Sequence, residues 1–397
     1  MKKLLLITLI TLSATANAQW TAQTSGTTTY LYSIAFADAN HGCAAGNDTI
    51  VGSIVRTTNG GTNWNPVTLP TSALMYAVAM PSLTTAYAAA DNGVIIKSTN
   101  GGTTWNIQTT PTTHTLYGLW FLDTLNGYCA GNNGTILKTV DGGTNWTIQN
   151  IGNNHLHSVH FPSVMVGYAV GNAGTIIKTN NGGTSWTTQT SGTTQNLRGV
   201  YFTSIDTGYA VGYNGTVLKT NNGGISWAPL TSGITNILTS VFFTSATTGY
   251  ITGTAGNILK TTNGGTTWAY QGIGGNNTLR AVYFVNANVG YCAGQVGTIL
   301  KTIDGGVSTV GINENQNQNS FTIAPNPFST QTTITFGKQQ SHTTITITDV
   351  LGKQIKTVTL NGANNFTLDR EEMQAGIYFV QLTDENKNVM NQKIVVE

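Results

Sequence analysis

Apolar positions recur along the chain in short bursts separated by glycine and asparagine. One unit reads Leu197-Arg198-Gly199-Val200-Tyr201-Phe202, then Gly208-Tyr209-Ala210-Val211-Gly212, then Gly215-Thr216-Val217-Leu218-Lys219-Thr220, then a turn at Asn222-Gly223-Gly224 and a last run opening on Trp227. Runs this short, rich in β-branched and aromatic residues and bounded by turn formers, predict four strands per unit. Aligned on Gly-Gly-x-x-Trp, the units carry Trp64, Trp105, Trp146, Trp186, Trp227 and Trp268, at steps of 41, 41, 40, 41 and 41 residues. A seventh copy, Thr302-Ile303-Asp304-Gly305-Gly306, has Thr309 where tryptophan is expected. A four-stranded unit of about 40 to 45 residues is the signature of a propeller blade.

The missing tryptophan points to the other end of the chain. Gln19-Trp20-Thr21-Ala22-Gln23-Thr24-Ser25-Gly26 matches the segment after the fourth anchor, Trp186-Thr187-Thr188-Gln189-Thr190-Ser191-Gly192. Trp20 and its strand are therefore expected to complete blade seven, which closes the ring and removes an open sheet edge. The fold expected is all-β: a seven-bladed β-propeller over residues 19–309, a polar linker over 310–320 and a small β-sandwich over 321–397. Trp20 and the six repeat tryptophans become structural anchors; Trp120 alone falls outside the set.

Composition agrees with the pattern. Charged residues are 8% of the chain, against roughly 25% in an average soluble protein. The Gly, Thr and Asn that replace them are poor helix formers. A net charge of +2 gives no electrostatic case for nucleic acid or an anionic membrane. At the N-terminus, Lys2 and Lys3, the apolar stretch Leu4 to Leu12 and Ala16-Asn17-Ala18 read as a secretory signal peptide over residues 1–18. No later run approaches 18 apolar residues, so no transmembrane segment is expected. Cys43, Cys129 and Cys292 fall in the same strand of different blades and are expected as buried free thiols. Cys43 and Cys292 belong to neighbouring blades, which leaves one bridge open.

Two repeated features look chemical but have plain structural readings. The Thr/Ser-x-Asn/Asp-Gly-Gly turn occurs in every unit, whereas an active site occurs once, so it is expected to be a hairpin whose glycines take positive φ. A cation precedes that turn each time: Arg56, Lys97, Lys138, Lys178, Lys219, Lys260 and Lys301. It is expected as a solvated outer rim, with a polyanion-binding girdle as the sharper alternative. These Lys-Thr pairs are not phosphate-binding loops, since no glycine precedes the lysine and no helix follows.

Counting tests for catalysis. Between Gln19 and Thr309 there is no glutamate. Asp38, Asp48, Asp91, Asp123, Asp141, Asp206 and Asp304 all fall in predicted turns, while a standard glycosidase needs two carboxylates facing one bond. His155, His157 and His160 are close in sequence, but on a strand His157 and His160 face opposite ways, so no metal site is expected. No catalytic residue and no cofactor is assigned.

The variable position lies in the first strand of each unit, the one expected to line the central channel. There the blades carry Tyr32, Tyr76, Tyr117, His157, Arg198, Thr239 and Arg280 within otherwise repeated surroundings. The plain reading is that these residues fill the channel mouth. The functional one makes Tyr32, Tyr76, Tyr117, His157, Arg198 and Arg280 a polar-aromatic pocket for a glycan, a peptide or a protein partner, with two arginines favouring an anionic group.

The repeated turn resembles the Asp-box, or BNR repeat, of sialidases and related propellers. That resemblance implies the fold. The catalytic set it would imply, three arginines, a Tyr–Glu pair and an acidic Asp, is incomplete: the propeller holds only Arg56, Arg198 and Arg280 and no Glu. A glycoside hydrolase acting on extracellular polysaccharide stands as the alternative to a binding protein. Over about 290 residues the propeller also resembles the photosystem II assembly and stability factor family, which implies a binding role. After residue 320, Ala324-Pro325-Asn326-Pro327-Phe328, Asp349-Val350-Leu351-Gly352-Lys353, Gly376-Ile377-Tyr378-Phe379-Val380 and the end Lys393-Ile394-Val395-Val396-Glu397 resemble the type A sorting domain of the type IX secretion system of Bacteroidota. It implies the type IX machinery as a partner and a secreted or outer-membrane surface location. A photosynthetic role sits badly with that signal.

Overall fold

The four runs of each repeat pair in sequence order as antiparallel strands, and each resulting sheet is one blade. The computed structural model describes residues 20–271, 275–306, 321–340, 342–350, 352–371, 373–384 and 389–397. The expected leader at 1–18 and linker at 310–320 lie outside these. By contacts the chain divides into two units, Met1–Ser308 and Thr309–Glu397.

Unit one holds seven four-stranded sheets. Numbering blades along the chain, blade 1 begins at Tyr30 and blade 7 at Leu279. Blade 5 is representative: Leu197–Phe202, Gly208–Gly212, Val217–Thr220 and Ala228–Leu230. Blade 7 takes its outer strand from the N-terminus. Thr21–Gln23 pairs antiparallel with Ile299–Thr302, Thr21 opposite Lys301 and Gln23 opposite Ile299. Trp20, 1% exposed, sets its ring edge-on to Phe284 at 5.8 Å and to Tyr250 of blade 6 at 6.3 Å. The expected closure is the one observed.

The hairpin turn is built from its own side chains. In blade 3, Thr139 Oγ1 accepts from the Gly143 N–H at 2.8 Å, and Asp141 Oδ1 accepts from the Asn145 N–H at 2.9 Å. Gly142 and Gly143 have φ of +69° and +81°, which only glycine adopts without cost. Aspartates hold other turns in the same way. Asp48 accepts the Ile50 and Val51 N–H groups, and Asp123 those of Leu125 and Asn126. Backbone N–H donors hold the Asp48 and Asp141 carboxyls below the usual range.

Blade-to-blade packing uses a three-ring stack. Tyr168 of blade 4 lies flat on Phe202 of blade 5 at 3.7 Å, and Trp227 meets Phe202 edge-on at 5.9 Å. The Phe ring covers the backbone so closely that a Cβ on Gly208 would lie 2.4 Å from it. The same stack joins blades 2–3, 3–4, 5–6, 6–7 and 7–1. Between blades 1 and 2 it is absent. Cys43 stands in the tyrosine's place and Met80 in the phenylalanine's, and both pack in one buried cluster.

The repeated cation is where the structure departs from the expected rim. Lys178 Nζ and the Tyr168 hydroxyl both donate to the Gly223 carbonyl of the next blade's turn, at 2.8 and 2.9 Å. Lys97, Lys219, Lys260 and Lys301 do the same to Gly142, Gly264, Gly305 and Gly60, and Arg56 reaches Gly101. Lys138 lies 6.0 Å over the Tyr128 ring. The six that reach a carbonyl are half-buried clips between blades. A turn whose glycines expose a carbonyl to the neighbouring blade needs a donor long enough to reach it, and lysine supplies one.

All three cysteines are buried and free, so the open bridge does not form. Burial pushes the Cys43 thiol up to about 12. Unit two is a two-sheet β fold. One sheet has Phe321–Ala324, Gln331–Gln340 and Ala363–Asp369; the other has Thr343–Asp349, Gln354–Leu360, Gly376–Thr383 and Val389–Val396. Its core includes Ile334, Ile345, Val380 and Ile394. The Asn326 side chain accepts the Val395 N–H at 2.8 Å, which ties the Pro-Asn-Pro-Phe segment to the last strand.

Candidate ligand site in the central channel

In all seven blades the pairing between first and second strands skips one residue. Shifts fall between Leu31 and Ser33, Met75 and Ala77, Leu116 and Gly118, Leu156 and Ser158, Leu197 and Gly199, Leu238 and Ser240, and Leu279 and Ala281. The residues skipped are Tyr32, Tyr76, Tyr117, His157, Arg198, Thr239 and Arg280. A bulge frees one residue from the ladder and re-aims its side chain. Here that aim is the axis: all seven line one cavity of about 670 Å³.

Their contacts run round the wall. Arg280 lies 5.0 Å over Tyr32; Tyr32 meets Tyr76 and Tyr76 meets Tyr117 edge-on at 5.2 Å each; Tyr117 meets His157 at 5.3 Å. Burial, with Tyr32 and Tyr117 alongside, pushes the Tyr76 phenol up to about 12, so it stays a donor. His157 Nε2 is 2.7 Å from Asn172 Oδ1, and its Nδ1 is 3.3 Å from Arg198 Nη1. An Nε2–H donating to Asn172 leaves the Nδ1 lone pair to accept from Arg198. Burial and the Arg198 charge hold His157 down at about 4, so it is neutral. Arg198 Nη2 also donates to the Tyr213 hydroxyl at 2.8 Å. Arg280 Nε is buried with no partner. Thr239 turns back on the fold, donating to the Leu279 carbonyl at 2.7 Å.

Among the described residues the wall carries two arginines and no carboxylate. Asp91, whose charge reaches Tyr76, is committed to a loop and accepts the Leu74 N–H at 2.8 Å. The structure therefore brings together the six candidate residues, keeps the aspartates out, and separates His157 from His160.

His160 belongs to a layer that sequence reasoning missed. Three residues beyond each bulge stand Ala35, Ala79, Trp120, His160, Tyr201, Phe242 and Tyr283. Trp120–His160, His160–Tyr201, Tyr201–Phe242 and Phe242–Tyr283 are in ring contact at 4.3 to 5.5 Å. The cavity wall stops one residue short, at Leu119, Val159, Val200 and Val241. The rings stand just past the last lining residues of this cavity, the cup. Trp120, the tryptophan outside the anchor pattern, was the signal for this layer.

Seven four-stranded blades, closed by the N-terminal strand round an axial cup, define a β-propeller whose axial cavity is walled by the seven bulged first strands. The photosynthesis system II assembly factor YCF48 model matches residues 97–190, 186–269 and 225–318, more than half of the chain, and the protein belongs to that family. The secretion system C-terminal sorting domain model matches residues 322–397, which marks the propeller for secretion and the cell surface. The structure described as YCF48 bound to D1 peptide has a TM-score of 0.62 at 20% identity, covering 72% of this chain and 97% of that one. PorZ, an essential bacterial surface component of the type IX secretion system of Porphyromonas gingivalis, has a TM-score of 0.56 at 10% identity, covering 93% and 59%. An endo-acting ulvan lyase of Formosa agariphila is 37% identical over 75 residues, which is 19% of this chain and 14% of the lyase.

Proposed function

We propose that the protein is a binding module rather than an enzyme, exported by the type IX machinery after loss of a leader at 1–18, and that its cup takes the end of a peptide from an extracellular partner. The observation that carries this is the bulge set. Seven bulges, one in each first strand, deliver Tyr32, Tyr76, Tyr117, His157, Arg198, Thr239 and Arg280 to one cavity, and among the described residues no carboxylate lines it beside the two arginines. Tyrosine and arginine are the residues that anchor interfaces.

Peptide is favoured over glycan by the tyrosine arrangement. Neighbouring rings stand at 68° and 72° and Arg280 lies over Tyr32, so the three rings share no common plane on which a sugar chain would stack. YCF48, whose structure was solved bound to D1 peptide, has the same fold, which supports a peptide as the class of ligand here. Against catalysis stand the missing carboxylates on the wall and the engagement of both His157 nitrogens.

The test is binding of the mature chain to an immobilised peptide library, compared with Arg198→Ala/Arg280→Ala. Loss of at least tenfold in affinity with an unchanged melting temperature is expected, since each charge-assisted bond contributes about 1.5–3 kcal/mol. Retained binding by the double variant, or turnover of a polysaccharide by the wild type, would sink the reading.

A further inference from the structure

The turns joining second and third strands stand at the mouth of the cup: Asn172, Tyr213 and Thr254, the first residues of three of them, line it. The residue after each adopts a left-handed backbone. Asn92, Asn133, Ala173, Asn214, Ala255 and Val296 hold φ between +52° and +56° in blades 2 to 7. Asparagine takes this conformation readily, whereas the branched Cβ of valine crowds the backbone. Blade 1 replaces the turn by a longer one, Asp48 to Val51, in which Thr49 holds φ of +83°. Among the described residues Thr49 and Val296 are the β-branched ones with positive φ, and their blades are neighbours across the closing seam.

Both turns hold apolar side chains in solvent. Val296 is 55% exposed, Ile50 79% and Val51 44%, where blades 2 to 6 expose only asparagine or alanine. Hydrogen bonds tie the two turns to the wall. Gln295, beside Val296, donates its N–H to the Thr278 carbonyl at 2.9 Å and accepts the Thr278 N–H on its side chain at 3.1 Å; Thr278 lines the cup. The Gly297 N–H donates to the Thr29 carbonyl at 2.7 Å. Tyr30, next along, pairs with Asn47, whose amide donates to the Met75 carbonyl at 3.2 Å. The turns of Val296 and Ile50 therefore flank the segment that enters blade 1, at the sector of the mouth where Arg280, Tyr32 and Tyr76 line the wall.

The fold gains nothing from a branched apolar side chain held in water on a strained turn, and strain of this kind collects at ligand clamps. We infer that Val296, Ile50 and Val51 form an apolar lip on the cup, and that the bound peptide crosses it with apolar side chains next to its inserted end. This deepens the peptide reading and rests on it: a chain whose end sits in the cup must leave across the rim. The lip continues the tyrosine side of the wall outward, and no other turn of the rim offers a leaving chain an apolar side chain larger than alanine.

The experiment uses the full mature chain and two peptide libraries with the same terminal residues. One carries Leu, Ile, Val and Phe next to the ends, the other Ser, Thr, Asn and Gln. The apolar library is expected to bind at least tenfold more tightly. Val296→Asn copies the residue of blades 2, 3 and 5, so it relieves the turn. Its melting temperature is expected to rise by about 2 °C while apolar-library binding weakens at least threefold. Ile50→Ser is expected to weaken that binding likewise at an unchanged melting temperature. Both variants should bind the polar library as wild type does, because Arg198 and Arg280 are untouched. Equal binding of the two libraries by the wild type, or an apolar preference that both variants keep, overturns this inference and leaves the peptide site standing. So does a Val296→Asn chain that melts no higher than wild type. Wild-type dimers in sedimentation that Ile50→Ser abolishes would overturn it too, since a second copy would then cover the lip. Binding of neither library by the wild type overturns both readings.

Discussion

Two sets of cations circle this propeller at different radii, and they do opposite things. In the outer set, five lysines and Arg56 each donate to a glycine carbonyl of the next blade. In the inner set, Arg198 is held by Tyr213 and His157, while Arg280 rests on Tyr32 with its Nε unpartnered. The outer cations repeat because the turn they clip repeats. The inner position is released from the ladder by a bulge, so its side chain serves no repeated blade-to-blade clip and its identity varies from Tyr to His to Arg to Thr. Within one chain, repetition marks what the ring needs and variation marks what the cup presents. A cation's role is set by whether a backbone acceptor is already in reach, and not by its type.

The largest effect that would sharpen this contrast is at the seam where the ring closes. Removing residues 19–25 takes away the outer strand of blade 7. Trp20→Ala alone is expected to cost about 3–5 kcal/mol, a fall of roughly 5–15 °C in melting temperature. A truncated chain that melts like the full one would mean that the N-terminal strand is not part of the ring. Next comes acid. Burial holds His160 down at about 3 and, with Arg198 beside it, His157 at about 4. The unfolded chain then binds protons that the folded chain does not, so this stabilisation is whole above about pH 6.5 and is lost as pH falls toward 4 and 3. His160→Phe keeps the ring contacts to Trp120 and Tyr201 and should flatten the acid side of the melting profile; an unchanged profile would remove His160 from it.

The smallest effect tests the clip itself. Tyr87→Phe or Lys97→Met should each cost about 1 kcal/mol, because either donor alone still satisfies the Gly142 carbonyl. The double variant should cost more than the sum of the two, since the buried carbonyl is then orphaned. Neither should change ligand affinity. An outer-ring variant that weakened binding would break the division of labour between the two rings.

Much of this fold was legible because the repeat is nearly exact. Tryptophan spacing, the Gly-Gly turn and the displaced Trp20 are local features, and each is read from neighbours in sequence. The bulges were not legible, since a skipped residue shows only when two strands are laid side by side; the channel residues were found instead through their variation. The clip was missed because Lys178 and Gly223 are 45 positions apart, and an alternating strand pattern says only that lysine faces away from the core. Likewise, Ser158 reads as one small residue among several until Val200 is seen to donate to its hydroxyl.

The central claim is that the inner cations bind and the outer cations hold. Arg198→Ala/Arg280→Ala and Lys97→Met measured side by side, for melting temperature and for peptide affinity, test it directly. The account expects the arginine pair to lose at least tenfold in affinity at an unchanged melting temperature, and the lysine variant to melt lower while binding as wild type. An arginine pair that melts lower and still binds, or a lysine variant that binds weakly at full stability, would contradict it.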